Sequence, residues 1–380
     1  MKAVVPFNMP RPLGRELEYV ADTAARGQLS GDGQYTREVQ RLLSAAHNGA
    51  KVLLTSSGTH ALELAALLLN LEQGDEVILP SFTFSSVANA FLLRGARLVF
   101  CDVRRDTLNI DETQVQRLIT PRTRAIVPVH YAGISCEMDA LCQIGAAAGV
   151  AIVEDNAHGL FGEYQGRPLG TFGSMSASSF HETKNFSCGE GGALVINDAT
   201  LANRAEIVRE KGTNRSQFFR GAVDKYTWMD IGSSYLLGEM LAAFLLGQLE
   251  QRALVESRRR QLCERYHRSL AAWAAQNGVS QPTVPDGVGS AHHLYYLVLP
   301  SLQSRTALMK HLNEKGIGSV FHYLPLHLSP MGRSLGGQTG DCPVTESISD
   351  RLLRLPLFST MTDAEQDIVL AAVQQFSVAG

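Results

Sequence analysis

Apolar and polar positions alternate in blocks along this chain, and the blocks predict its elements. Short, almost wholly apolar runs at Lys51–Thr55, Glu76–Pro80, Arg97–Asp102, Ala125–Val129 and Val150–Asp155 read as buried strands. Apolar residues at helical spacing fill the intervals, at His60–Leu71, Val87–Arg94, Asp111–Ile119 and Met138–Ala148. Two more runs, Ser176–Phe180 and Ala193–Ile196, complete a seven-stranded set. Strand and helix in strict alternation predict an α/β fold with a mostly parallel sheet and right-handed crossovers. Upstream lie an arm, Pro6–Pro12, and helices over Leu13–Arg26 and Thr36–Ala46. Downstream come a charged helix, Ala199–Lys211, and a loop from Gly212 to Trp228 that is too long, aromatic and basic for a plain connector. One long amphipathic helix is expected over Tyr235–Ala271. Strands at His292–Leu299 and Gly318–Phe321 and helices at Gln303–Lys315, Val344–Leu353 and Thr362–Phe376 then predict a smaller α+β unit. The expected division is an arm and large domain over 1–250 and a small C-terminal domain over 251–380.

Candidate chemistry gathers where predicted strands end. Ser57-Gly58-Thr59 joins a strand to a helix, and the free N–H groups of a helix start suit a phosphate, although the same residues serve as an ordinary N-cap. Phe84 follows a strand and could stack on a flat ring or simply join the core. Asp155 ends the most apolar strand, where a carboxylate is costly unless a cation meets it, and His158 lies just beyond. Lys184 follows the strand that holds Ser179 and precedes Gly189-Glu190-Gly191-Gly192. Desolvated at the mouth of a sheet, a lysine can act as an amine nucleophile; otherwise it is a solvated loop cation. Taken together, an amine, an acid, an aromatic face and phosphate donors describe a pyridoxal phosphate site.

Composition removes other classes. A formal net charge of −3 leaves no basic footprint for nucleic acid. No run reaches about 18 uninterrupted apolar residues, and the first residues do not form a signal peptide, so a cytoplasmic protein without a membrane partner is expected. The six cysteines lack C-x-x-C spacing, so neither a metal site nor a disulfide framework is expected.

Across nearly its whole length the chain resembles the DegT/DnrJ/EryC1/StrS sugar-nucleotide aminotransferases, which have the aspartate aminotransferase-like fold (fold type I). The resemblance is carried by Ser57-Gly58-Thr59 with Ala61-Leu62, Gly74-Asp75-Glu76-Val77-Ile78, Thr83-Phe84, Pro128-Val129-His130, Glu154-Asp155, Ser179-Phe180 with Lys184, and Gly189-Glu190-Gly191-Gly192. It implies that Lys184 anchors pyridoxal 5'-phosphate covalently and carries protons, that Asp155 pairs with the pyridine nitrogen and that Phe84 stacks on the ring. Gly58, Thr59 and Ser179 would hold the phosphate, with His158 near the ring hydroxyl. The segments Lys211–Leu236 and His181–Asn185, with His322-Tyr323 and Pro325-Leu326-His327, are similar to a subgroup that aminates C4 of dTDP-4-keto-6-deoxy-D-glucose with L-glutamate as donor. Rivals are amination at C3 of a dTDP-3-keto-6-deoxyhexose and dehydration; the dehydratases of this family carry histidine in place of the lysine. The resemblance also implies a homodimer with shared sites. Much of the family has Gly-x-Asn-x-Arg where this chain has Gly232, Ser234 and Leu236; Ser234 would then face the partner's cofactor phosphate. Arg220, Lys225, Tyr226, His322 and Tyr323 are the substrate-side candidates.

Overall fold

The computed structural model describes residues 4–378. Its first helices, α1 (Glu16–Arg26) and α2 (Gln34–Ala46), precede a seven-stranded sheet. The strands are β1 (Lys51–Thr55), β2 (Glu76–Pro80), β3 (Arg97–Cys101), β4 (Thr123–Ile126), β5 (Ala151–Asp155), β6 (Met175–Ser179) and β7 (Gly192–Ile196), in the order β1-β7-β6-β5-β4-β2-β3. All neighbours run parallel except β7, which is antiparallel to both β1 and β6. Between the first strands lie α3 (Gly58–Leu68), α4 (Ser85–Leu92), α5 (Glu112–Leu118) and α6 (Met138–Ala148).

The continuous apolar runs have a simple cause: both faces of this sheet are covered. Leu53, Leu194 and Ile196 pack with α3 and α4, whereas their neighbours Val52, Leu54, Ala193 and Val195 pack with α1 and α2. Successive strand residues point to opposite faces, so a two-sided core requires an apolar residue at every position.

After β7 come α7 (Ala202–Arg209), the one-turn α8 (Arg215–Phe219), α9 (Glu239–Glu250) and α10 (Arg252–Gln276). The single helix expected over Tyr235–Ala271 is therefore two. Tyr235–Leu237 are not helical, Gly238 is extended, and the chain leaves helical geometry at Gln251, where α9, sunk among α1 and α2, gives way to α10 over the C-terminal core. Buried Glu239 opens α9 and accepts the backbone N–H groups of Gly33, Tyr35 and Thr36, capping α2 from outside.

The C-terminal part contains α11 (Leu302–Glu314), α12 (Pro330–Ser334), α13 (Pro343–Arg351) and α14 (Asp363–Gln374) around a three-stranded antiparallel sheet, β8 (Tyr295–Val298), β9 (Val320–Phe321) and β10 (Leu352–Leu355), ordered β8-β10-β9. Leu352 and Leu353, expected to end a helix, belong to the central strand. Likewise β4 stops before Pro128, which has no N–H to donate, and Val129 makes only one further bridge, to Asp155. Near the N-terminus Val5 bridges to Ile317 and packs into the C-terminal core. No helix among the described residues is long and apolar enough to cross a membrane.

Candidate active site

Two adjacent carboxylates end β5 and point to opposite sides of the sheet. Glu154 is fully enclosed and accepts the N–H groups of Gly170, Phe172 and Gly173 at 2.7–2.8 Å, with His130 Nε2 at 3.1 Å. Burial alone would raise its pKa, but these donors hold it below the usual carboxylate range. Asp155 has the Ala157 N–H at 2.9 Å and no Lys, Arg or His within 4.0 Å among the described residues. Burial pushes its pKa up, with the Ala157 N–H and the more distant Lys184 charge opposing. Glu154 is thus satisfied by its own loop, whereas Asp155 is a buried acid still able to take a cationic N–H.

Lys184 sits in the loop between β6 and β7. That loop is knitted across its base by Phe180 N–H to Gly191 O (2.7 Å), Glu182 N–H to Gly189 O (2.9 Å) and Cys188 N–H to Phe180 O (3.0 Å). The Lys184 amine has no hydrogen-bond or ion-pair partner among the described residues. Burial lowers its pKa to about 8; the Asp155 charge opposes that shift and the Arg354 charge adds to it. Beside the same strand ends, α3 begins. Ser57 is its N-cap, its Oγ accepting the His60 N–H at 3.0 Å, while the Gly58 and Thr59 N–H groups precede the first intrahelical bond. A Cβ on Gly58 would stand 2.8 Å from Ser179 Cβ, and one on Gly192 only 2.3 Å from the Ser57 carbonyl carbon. Glycine at both places lets the helix start close on the ends of β6 and β7, beside the Ser179 hydroxyl. Thr59 Oγ1 donates to Ser86 Oγ (2.8 Å), tying α3 to α4, and the α4 N-cap residue Phe84 leaves 59% of its surface exposed.

Several residues that sequence reasoning missed complete this region. The His158 ring lies 4.2 Å from that of His293, whose Nδ1 is 2.9 Å from Asn185 Oδ1; the Asn185 amide in turn donates to Ala291 O (2.7 Å). Tyr131 OH meets His322 Nδ1 at 3.1 Å, and Tyr323 lies within 5.6 Å of Phe82 and 6.4 Å of Phe84, centre to centre. Burial pushes the pKa of His158, His293 and His322 well below the ordinary imidazole value, so all three are neutral at pH 7. His158 Nδ1 is buried without a partner. The one advance signal was the His292-His293 pair ahead of β8. Of the substrate-side candidates, His322 and Tyr323 join this group. Arg220 is instead paired through both terminal nitrogens with Glu206 (3.1 and 2.7 Å), Tyr226 packs on Phe218, Lys225 has no polar partner among the described residues, and exposed Ser234 bridges to Glu210 through its backbone. Within one chain the structure does not bring these four residues into contact with Lys184.

A free amine, an acid without a cation, unpaired N–H groups at a helix start beside a hydroxyl and an open aromatic face are together the requirements of pyridoxal phosphate, so the residues present fit that group. The comparisons agree. Residues 13–374 match the model of the DegT/DnrJ/EryC1/StrS aminotransferase family. Spr1654 of Streptococcus pneumoniae, described as a sugar aminotransferase and solved in apo, PLP and PMP forms, is similar to this chain. Its apo form is 27% identical, with 97% of this chain and 96% of that one covered at a TM-score of 0.90. DesV of S. venezuelae is 31% identical over 99% of this chain and 98% of its own, at a TM-score of 0.89. The aminotransferase TlmJ of Streptoalloteichus hindustanus is 30% identical over 98% of each chain, also at 0.89. The chain belongs to the DegT/DnrJ/EryC1/StrS family: it has the aspartate aminotransferase-like fold of type I and is a sugar aminotransferase that works with pyridoxal phosphate.

Proposed function

We propose that the protein moves the amino group of L-glutamate to C4 of dTDP-4-keto-6-deoxy-D-glucose, giving a dTDP-4-amino-4,6-dideoxyhexose and 2-oxoglutarate. The observation that carries the chemistry is the Lys184 amine, freed of partners among the described residues and lowered to about 8, at the same end of the central strands as the buried acid Asp155. When bound, pyridoxal phosphate supplies a ring that withdraws electrons and so acidifies the carbon bearing the amino group. In this reading Lys184 Nζ would hold the group covalently until the amino group of the incoming substrate displaces it, and the freed amine would then take the proton from that carbon and return it on the other side of the exchange. The Asp155 carboxylate keeps the pyridine nitrogen protonated, Phe84 covers one face, Gly58, Thr59 and Ser179 bind the phosphate, and neutral His158 lies by the ring hydroxyl. The choice of a C4 ketone is supported by the resemblance of Lys211–Leu236 to one subgroup and by His322-Tyr323 standing beside His158.

The same reading makes the working unit a homodimer. Exposed apolar side chains on the 213–231 loop support this, Trp228 at 79% and Phe219 at 69% among them. Ser234, Arg220, Lys225 and Tyr226 would act across that contact, and the small domain would begin at 251, where the helix breaks. Incubation with glutamate and either the 4-keto or the 3-keto nucleotide, with the product read by NMR, tests the substrate. Amination at C4 is expected, and a 3-amino product overturns the proposal. Lys184→Ala should abolish transfer; a variant that still turned over would remove Lys184 from its role.

A further inference from the structure

We infer that Arg354 is the group that binds the carboxylate of the amino donor, an assignment that rests on the proposed use of an amino acid such as glutamate.

Strand β10 alternates across the small sheet. Leu353 and Leu355 are sunk in the C-terminal core, whereas Leu352 packs with Phe82, Tyr131 and Tyr296 on the other side. Arg354 is in phase with Leu352 and is paired in register with Tyr296 on one side and Val320 on the other, so it faces the cleft rather than its own core. Of five N–H donors, the guanidinium uses one, Nη2 to Phe321 O at 3.2 Å. Its Nε is buried without an acceptor, and no Asp or Glu lies within 4.0 Å among the described residues. The Phe7 ring, 4.8 Å from Cζ, closes one face of the guanidinium plane.

An arginine in such a place normally meets an anion, because a planar fork matches a carboxylate at two points. Among the described residues none stands within 4.0 Å, and the carboxylate of the region, Asp155, is no ion-pair partner of Arg354. The groups that feel its charge are the Lys184 amine, the neutral rings of His158, His293 and His322, and the phenols of Tyr131 and Tyr323; burial also draws the guanidinium pKa down. Of the two substrates, the keto sugar has no carboxylate and every amino acid donor has one. The diphosphate of the sugar nucleotide is the competing anion, and the two are told apart by whether the loss is shared with the sugar nucleotide. Arg220 and Lys225, the other cations among the substrate-side candidates, are then not needed to bind the donor, consistent with Arg220 being paired to Glu206.

The holoenzyme tests this through glutarate, a dicarboxylate without an amino group, whose Kd reports binding apart from turnover. For Arg354→Gln we expect glutarate Kd and donor KM to rise about ten-fold or more, the loss of a charge-assisted pair, while transfer of the amino group onto the keto sugar stays within about two-fold. Arg354→Lys, which keeps the charge but loses the fork, should recover part of the loss and makes the same comparison if Arg354→Gln does not fold. Unchanged glutarate affinity, or a loss shared with the sugar nucleotide, overturns the assignment. An unmutated protein that deaminates no amino acid would sink the donor reading itself and this assignment with it, whereas normal donor kinetics independent of Arg354 sinks the assignment alone.

Discussion

Burial holds the Lys184 amine at about 8, against 10.5 for an exposed lysine. The unfolded chain therefore binds more protons than the folded one between these values, and stability rises with pH across that window. Below about pH 8 the penalty is fully present; above 10.5 it is gone. In the cofactor-free protein, Lys184→Met is accordingly expected to increase stability at pH 7 by about 1–3 kcal/mol, fading as the pH passes from 8 to 10.5. Urea titrations at pH 7 and pH 10.5 would check it, and an equal gain at both would refute the burial argument. The paired acids of β5 give the opposite contrast. Glu154→Gln weakens a buried, fully hydrogen-bonded carboxylate and should cost about 2 kcal/mol or more. Asp155→Asn removes a buried charge with one backbone donor, so it should leave the melting temperature unchanged or higher while severely reducing turnover. Loss of stability at Asp155 equal to that at Glu154 would contradict the division of labour. The placement of Lys184, Asp155, Ser179, Gly58 and Phe84 near strand ends was legible because each ends a strand or follows one within five residues, and the apolar runs of those strands are unmistakable. His293, just ahead of β8, and Arg354, on β10, were not, because both belong to the C-terminal part and no local spacing encodes how that part docks.

At the scale of elements, the alternating strands and helices could be read from periodicity alone because both sheet faces are buried. The break at Gln251 could not: no glycine or proline marks it, and the turn arises where one helix must serve two cores. The first two residues of β10, Leu352 and Leu353, read as a helix end for a different reason: a short apolar run is ambiguous, and here it is settled by pairing with Tyr295–Val298. The close seat of α3 against β7 makes a testable point. Gly192→Ala would drive a methyl group against the Ser57 backbone, which cannot swing aside as a long side chain would. A loss of about 1–3 kcal/mol is expected, together with weaker retention of pyridoxal phosphate on dialysis. Full cofactor retention would mean that the helix start is not held by this contact.

For the molecule as a whole, the exposed apolar surface of the 213–231 loop carries the prediction. Trp228→Asp should convert the proposed dimer to a monomer in sedimentation analysis with little change in the stability of each chain, since among the described residues Trp228 makes only its indole N–H bond to Asp230 O (2.7 Å) and one backbone bridge to Thr213. An unaltered mass would place the subunit contact elsewhere. The order of strands in the main sheet has a different consequence, for folding in time. Among the described residues the edge strand β1 pairs only with β7, Lys51 against Ile196, so the strand that leads into the proposed phosphate-binding turn has no strand partner until residues 192–196 have been made. Closing so long a loop is entropically slow. During synthesis, a chain stopped short of Gly192 already contains Lys184 and can assemble β2 to β6, yet it lacks the strand that seats α3. Capture of the cofactor is accordingly expected among the last events in building the large sheet, and a chain truncated before Gly192 is expected not to retain it.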